Sequence, residues 1–214
     1  MAMAIKKKNR TLALVEEEKS ETTIRKQVGL LGGAFNPVHI THLIAADQVG
    51  RGLGLEKVFL MPSYTSPHID PKPTIASEHR LKMLQLAIED NPLLDVETIE
   101  LERGGKSYTY DTLVALKEKN PDTDYFFIIG GDMVDYLPTW HRIDELVDLV
   151  QFVGIQRPGY PKETPYPLIW VDVPLMEISS TMIRQKVAQG CSIQYFVPQK
   201  VNQYIQEMGL YRND

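Results

Sequence analysis

From Val28 onward, six short apolar runs alternate with segments of helical pattern. The runs are Val28–Leu31, Lys57–Met61, Leu94–Ile99, Tyr125–Ile129, Phe152–Ile155 and Leu168–Val171. This alternation calls for a parallel sheet covered on both faces, because parallel neighbours are joined by crossovers that lie over the sheet. The helical segments are Thr41–Gly50, Ser77–Asp90, Thr109–Lys119, Ile143–Leu149, Ser180–Gln189 and a last one from Pro198 to Gly209. In the second, Leu81, Leu84 and Ile88 share a face and Ser77 is placed as N-cap; Asn120-Pro121 closes the third, and Gly190 caps the fifth. Ligands of such sheets sit beyond the carboxyl ends of the strands, so residues just after each strand are the first candidates for chemistry.

Composition narrows the class. The 214 residues carry 28 acidic and 23 basic side chains, a net charge of −5, and are 43% hydrophobic. That is enough apolar material for one large core, which excludes a disordered or collagen-like chain. We read residues 1–26 as an extension, mobile or weakly helical, and 27–214 as one domain. The mild acidity argues against binding to nucleic acid or to anionic membranes, so an anionic ligand has to be captured by a few placed donors. After Lys6, Lys7, Lys8 and Arg10, the apolar run Leu12–Val15 is too short for a signal-peptide core. Gln27–Ala46 lacks charged residues over the length of a membrane span, but Asn36, Pro37, His39, His42 and three glycines do not suit lipid. The single cysteine, Cys191, has no intrachain partner, so the expected setting is the cytoplasm.

Three clusters carry candidate chemistry. The first strand runs into Gly32-Gly33-Ala34-Phe35-Asn36-Pro37-Val38-His39-Ile40-Thr41-His42. The glycines let backbone N–H groups approach a ligand, or simply make a tight turn; they match neither GxGxxG nor GxxxxGK[ST]. His39 and His42, three apart at a helix start, share a face, where they suit phosphate oxygens. Zinc would need a third ligand, and His68, His79, His141 and Cys191 are scattered. The second cluster is Ile178-Ser179-Ser180-Thr181-Met182-Ile183-Arg184, where hydroxyls at a helix start and a guanidinium make either an anion cradle or a well-capped helix. The third is Gly130-Gly131-Asp132 after an apolar strand, followed by Trp140 and His141, with Trp140 either core or stacked on a planar ring.

Taken in order, GGAFNPVHITH and ISSTMIR resemble the HxGH and ISSTxxR signatures of the nucleotidyltransferase superfamily. SYTYDT (Ser107–Thr112), IIGGDM (Ile128–Met133), LPTWHRIDEL (Leu137–Leu146), RPGY (Arg157–Tyr160) and ETPYP (Glu163–Pro167) resemble the bacterial nicotinate-nucleotide adenylyltransferase family. The resemblance runs from about Val28 to the C-terminus. It implies an α/β fold, a Rossmann-like doubly wound parallel sheet with helices on both faces. The implied reaction joins ATP and nicotinate mononucleotide to give nicotinate adenine dinucleotide and pyrophosphate, with Mg2+ held mainly by the ATP phosphates and by no protein side chain. A homo-oligomer such as a dimer is compatible with it.

For individual residues, the resemblance implies that His39 and His42 are catalytic, contacting the ATP phosphates. Gly32, Gly33, Phe35, Gly130, Asp132, Ile178, Ser179, Ser180, Thr181 and Arg184 would bind ATP. Gly33, Ala34, His68, Thr109, Trp140, His141 and Arg157 would bind the mononucleotide, with Trp140 against the nicotinate ring. Three positions depart from the family pattern: Thr41 replaces the HxGH glycine, Asn36 replaces a frequent aspartate, and Pro67-His68-Ile69 lacks the usual basic residue, which Lys72 or Arg157 would replace.

The chemistry is coherent without the resemblance. A nucleotide phosphate is already ionised at neutral pH, so the attacking oxygen needs neither general base nor protein nucleophile. The helix start carrying the histidines is read as lying outside the core. Competing readings are a sibling transferase using phosphopantetheine or CMP, and a dinucleotide-binding oxidoreductase, which would need GxGxxG and a following acidic residue.

Overall fold

The computed structural model describes residues 25–67, 74–155, 164–174 and 176–212. Six strands form one parallel sheet: β1 (Lys26–Gly33), β2 (Lys57–Pro62), β3 (Leu94–Val96), β4 (Thr123–Gly130), β5 (Gln151–Ile155) and β6 (Leu168–Val171). Their order is β3-β2-β1-β4-β5-β6, so the winding reverses between β1 and β4. Those two strands pair with Leu31 opposite Ile128 and leave the sheet side by side at Gly33 and Gly130. The switch point, where α/β sheets hold ligands, therefore lies between the glycine–histidine cluster and Gly130-Gly131-Asp132.

Both faces are covered, which is why the strand runs are nearly continuously apolar. Period-2 alternation sends Leu31, Val58, Leu60, Ile128 and Val153 into one core, packed under α1 (Ile40–Gly52), α2 (Ser77–Ile88), α7 (Ser180–Ala188) and α8 (Gln199–Glu207). The intervening residues Leu30, Met61, Tyr125, Phe127, Ile129 and Phe152 enter a second core. Over that core lie α4 (Thr109–Lys119) and α6 (Ile143–Leu149), with the short α3 (Ile99–Arg103) and α5 (Gly131–Val134) at its margin. Among the described residues no helix is long and apolar enough to cross a membrane.

The structure corrects some local expectations. β1 continues through Gly32 and Gly33, so the glycines finish a strand, and the left-handed residue of the turn is Phe35 (φ 46°), which is fully buried. Added bulk at Gly33 would meet the Phe35 ring at 3.2 Å, so glycine there lets that ring fold under the strand end. β3 stops at Val96 because the Glu97 carboxylate accepts the Ile99 N–H at 3.0 Å and turns the chain into α3. Ala76, not Ser77, is the N-cap of α2, and the helix's buried stripe is Arg80, Met83, Leu84 and Ile88, with Leu81 only half-buried. Arg25, next to β1, pairs with Asp124 at 2.8 Å.

Candidate active site

The β1–α1 turn is held by carbonyl oxygens captured from elsewhere in the chain. Arg80 Nη1 donates to the Ala34 carbonyl at 2.8 Å. Arg184 Nη1 donates to the Asn36 carbonyl at 2.9 Å, and the Ser180 hydroxyl to the Pro37 carbonyl at 2.8 Å. The Ser63 N–H donates to the Gly33 carbonyl at 2.9 Å. Inside the turn, the Tyr211 hydroxyl donates to Asn36 Oδ1 at 2.8 Å, with both residues buried. In a planar trans peptide C=O and N–H point in opposite directions, so holding the Ala34 and Pro37 carbonyls directs the Phe35 and Val38 N–H groups away from α2 and α7.

His39 caps α1 and His42 is its third helical residue. The two imidazoles stack with centroids 3.7 Å apart and planes 29° apart, so the structure brings the predicted pair together. The His39 N–H donates to His42 Nδ1 at 3.2 Å. Nδ1 is thereby an acceptor, and the proton of a neutral His42 resides on Nε2, leaving that nitrogen as a donor. The edge of Phe35 supports the His42 ring at 5.0 Å. His39 is 5% exposed, so this part of the helix start is core, contrary to the sequence expectation. Thr41, at the family's glycine position, has its hydroxyl shielded from solvent and, among the described residues, without a hydrogen-bond partner.

α7 meets the same turn through Ser180 and Arg184. Ser179 is its N-cap and accepts the Met182 N–H at 3.2 Å, so the capped-helix reading of this cluster holds. Ser179 and Thr181 are exposed at the helix start, and Arg184 Nη2 lies 3.5 Å from the Thr181 hydroxyl. Ile178, just before, is half-buried against the first core. On the other side of the switch point, Gly130 caps α5 and Asp132 stands in its first turn, half-buried.

The nicotinate side is built differently from expectation. Thr109 is the first residue of α4, half-buried, and the ring of its neighbour Tyr108 lies 4.7 Å from the His141 ring. Trp140 is 6% exposed and packs edge-to-face between Phe127 and Phe152, each 5.8 Å away. Its indole is thus a core wall, and the accessible aromatic surface here belongs to Tyr108, His141 and Tyr110, with the Arg142 guanidinium 3.9 Å over Tyr110. Beneath the α4 N-terminus, buried Glu100 lies 2.9 Å from the Thr112 hydroxyl, which also accepts from Arg103 at 2.9 Å. Burial pushes the Glu100 carboxyl above its ordinary range, against hydrogen bonds from Thr112 and Ser107 and the charge of Arg103. His68, Lys72 and Arg157 lie outside the described residues.

Sequence reading missed Arg80, Tyr211 and Ser107. Arg80 had a signal, since positions 80, 84 and 88 lie on one helical stripe and an arginine on an apolar stripe is a buried arginine. Tyr211 had none, because its partner is 175 residues away.

A doubly wound parallel sheet with a glycine turn and a stacked histidine pair at its switch point is the architecture of a nucleotide-handling α/β protein. Residues 30–186 match the cytidylyltransferase-like family, which makes the chain a nucleotidyltransferase. A probable nicotinate-nucleotide adenylyltransferase of Enterococcus faecalis is 67% identical over 201 residues, covering 94% of this chain and 92% of the relative. One from Streptococcus pneumoniae serotype 4 is 66% identical over 187 residues, covering 87% and 90%. At such identity over nearly the full length, the chain belongs to the nicotinate-nucleotide adenylyltransferase family. The fold is shared with Plasmodium falciparum nicotinic acid mononucleotide adenylyltransferase complexed with NaAD, at a TM-score of 0.74 and 20% identity over 88% of this chain and 98% of that one.

Proposed function

We propose that the cleft at the β1–β4 switch point joins ATP and nicotinate mononucleotide, an oxygen of the mononucleotide phosphate attacking the α-phosphorus of ATP. The new P–O bond forms as the bond from the α-phosphorus to the bridging oxygen breaks, and pyrophosphate leaves with that electron pair. The products are nicotinate adenine dinucleotide and pyrophosphate, in NAD biosynthesis. Because the nucleophile is ionised beforehand, the protein's task is alignment and charge neutralisation.

The observation that carries this reading is the His39–His42 pair with Nδ1 of His42 occupied by the His39 N–H. His42 Nε2–H is then the donor for charge on the α-phosphoryl, with His39 stacked behind it. Ser179, Ser180, Thr181 and Arg184 take the adenine and outer phosphates, and Gly130 and Asp132 the nucleoside. Gly32, Gly33, Ala34 and Phe35 form the floor between the substrates. The Thr109 hydroxyl and the backbone of His141 take the nicotinate carboxylate, while Trp140 supports that wall from within.

The donor set also fits Mg2+ held by phosphate. Four carbonyls of the turn, at 33, 34, 36 and 37, are engaged by protein donors, so the turn presents N–H groups and not carbonyl oxygens to a phosphate-bound cation. Bound through the ATP phosphates, the cation would add charge neutralisation at the polyphosphate. A cytoplasmic setting, where ATP and pyridine nucleotides are found, goes with this reading.

The test is pyrophosphate release on mixing the protein with ATP, Mg2+ and nicotinate mononucleotide, with the dinucleotide identified by mass. No release with this pair, but release with phosphopantetheine or from CTP, would replace the reading with a sibling transferase.

A further inference from the structure

Arg80 is 2% exposed, and an arginine cannot shed its charge when buried. No carboxylate among the described residues pairs with its guanidinium; Nε is enclosed without a partner, and burial holds its pKa below the ordinary arginine range. Both of its hydrogen bonds leave one nitrogen. Nη1 donates to the Ala34 carbonyl and to the Ser63 carbonyl, each at 2.8 Å. The two hydrogens of a planar nitrogen therefore fix two carbonyls relative to each other, one just beyond β1 and one just beyond β2.

Each carbonyl belongs to a different half of the site. Ala34 lies in the turn that leads to His39 and His42. The Ser63 carbonyl shares a peptide with the Tyr64 N–H, which donates to Ser107 Oγ at 3.0 Å, and the Ser107 N–H donates to the Thr65 carbonyl at 2.9 Å. Two residues further on, Thr109 opens α4. A continuous set of bonds thus runs from the histidine turn, through one guanidinium nitrogen, to the segment placed against the nicotinate.

We propose that Arg80 is a positioning residue that sets the distance and orientation between the ATP half and the mononucleotide half of the site. The inference rests on the function proposed above. Where chemistry is alignment of two bound anions, a displacement of about 1 Å between halves costs on the order of a hundredfold in rate while each half still binds its own substrate. Arg80→Met keeps the length of the side chain and removes a charge that is costly to bury, while leaving two carbonyls without this donor, so it is expected to fold with a lowered thermal transition. Arg80→Lys keeps the charge but replaces the planar fork by a rotating ammonium.

The experiment measures, for wild type, Arg80→Met and Arg80→Lys, the thermal transition, the affinity for each substrate alone by calorimetry, and kcat with both. The expected result is that Arg80→Met binds ATP and the mononucleotide within about threefold of wild type, yet loses about a hundredfold in kcat. Arg80→Lys should bind equally well and lose about tenfold, an intermediate value that a purely structural role would not produce. The inference is overturned if folded Arg80→Met, or Arg80→Lys, turns over at the wild-type rate. It is also overturned if the loss lies wholly in the affinity for one substrate, or if neither variant folds. Wild-type turnover measured alongside tests the function itself, so active wild type with indifferent variants refutes the brace alone.

Discussion

The Tyr211 hydroxyl donates to Oδ1 of Asn36 at 2.8 Å, so a residue of the first turn is held by one 175 positions further along the chain. Asn36 Oδ1 is buried, and removing its donor leaves it without that compensation. Tyr211→Phe is expected to destabilise the protein by about 1–3 kcal/mol. Urea denaturation should show the midpoint falling with an unchanged slope. Asn36→Asp keeps the acceptor and is expected to retain activity within a few-fold; a collapse would mean that the amide itself is read by the substrate.

The histidines separate into two experiments. His42 is half-buried and offers Nε2–H, so His42→Ala is expected to lower kcat by about a hundredfold or more with little change in melting temperature. His39 is buried beneath it and caps α1, so His39→Ala should lower both kcat and stability. Circular dichroism melts beside steady-state kinetics distinguish these patterns. Full turnover by a folded His42→Ala protein would end the catalytic assignment.

Glu100 gives a pH signature. Its folded-state pKa is raised by burial, so just above the ordinary glutamate pKa of about 4.5 the native chain holds a proton that the unfolded chain has lost. Its contribution is therefore fully present below the unfolded pKa and is lost as pH rises through the folded one. Glu100→Gln removes this titration, and its stability should fall less than that of wild type as pH increases from about 4.5 toward neutrality. Chemical denaturation at several pH values checks this; parallel stability curves for the two proteins would show that Glu100 is not the group responsible.

On the proposed function, substrate choice would rest on the donors around Thr109 and His141. A carboxylate accepts from the Thr109 hydroxyl and nearby N–H groups, whereas an amide must turn its NH2 toward one of them, at about 1–3 kcal/mol plus the loss of charge assistance. A preference of about a hundredfold for the acid mononucleotide in kcat/KM is expected, narrowing in Thr109→Val. Trp140→Ala is now a core truncation, expected to cost about 3–5 kcal/mol of stability. Comparable kcat/KM for acid and amide would refute the donor-lined wall.

The central strands were legible because a strand buried on both faces reads as an apolar run whatever its neighbours, and the edge strands β3 and β6 because short apolar runs stood at the expected spacing. The limits of legibility were local contests and long-range contacts. Leu94 to Glu97 alternates like a strand and the apolar Ile99 prolongs the run, but the Glu97 carboxylate on the Ile99 N–H turns the chain after Val96. A histidine is not a favoured capping residue, so the His42 bond to the α1 N-cap gave no warning, although it fixes the tautomer of a neutral His42. Trp140 suited core and stacking equally well as a residue type, and the choice depended on Phe127 and Phe152, which the fold alone brings to it.

The bonds that hold the first turn have a temporal consequence. Ser180, Arg184 and Tyr211 lie 143, 148 and 175 residues beyond their partners in that turn. At about 5–20 residues per second of translation, the segment bearing His39 waits about 10–35 s for its last clamp to be synthesised. Through that interval a nascent chain can pair β1 with β2 and build the first half of the sheet, but its turn lacks these braces. The geometry of this turn is therefore among the last things the molecule acquires, and a ribosome-bound or prematurely terminated chain carries both histidines on a turn that lacks its clamps.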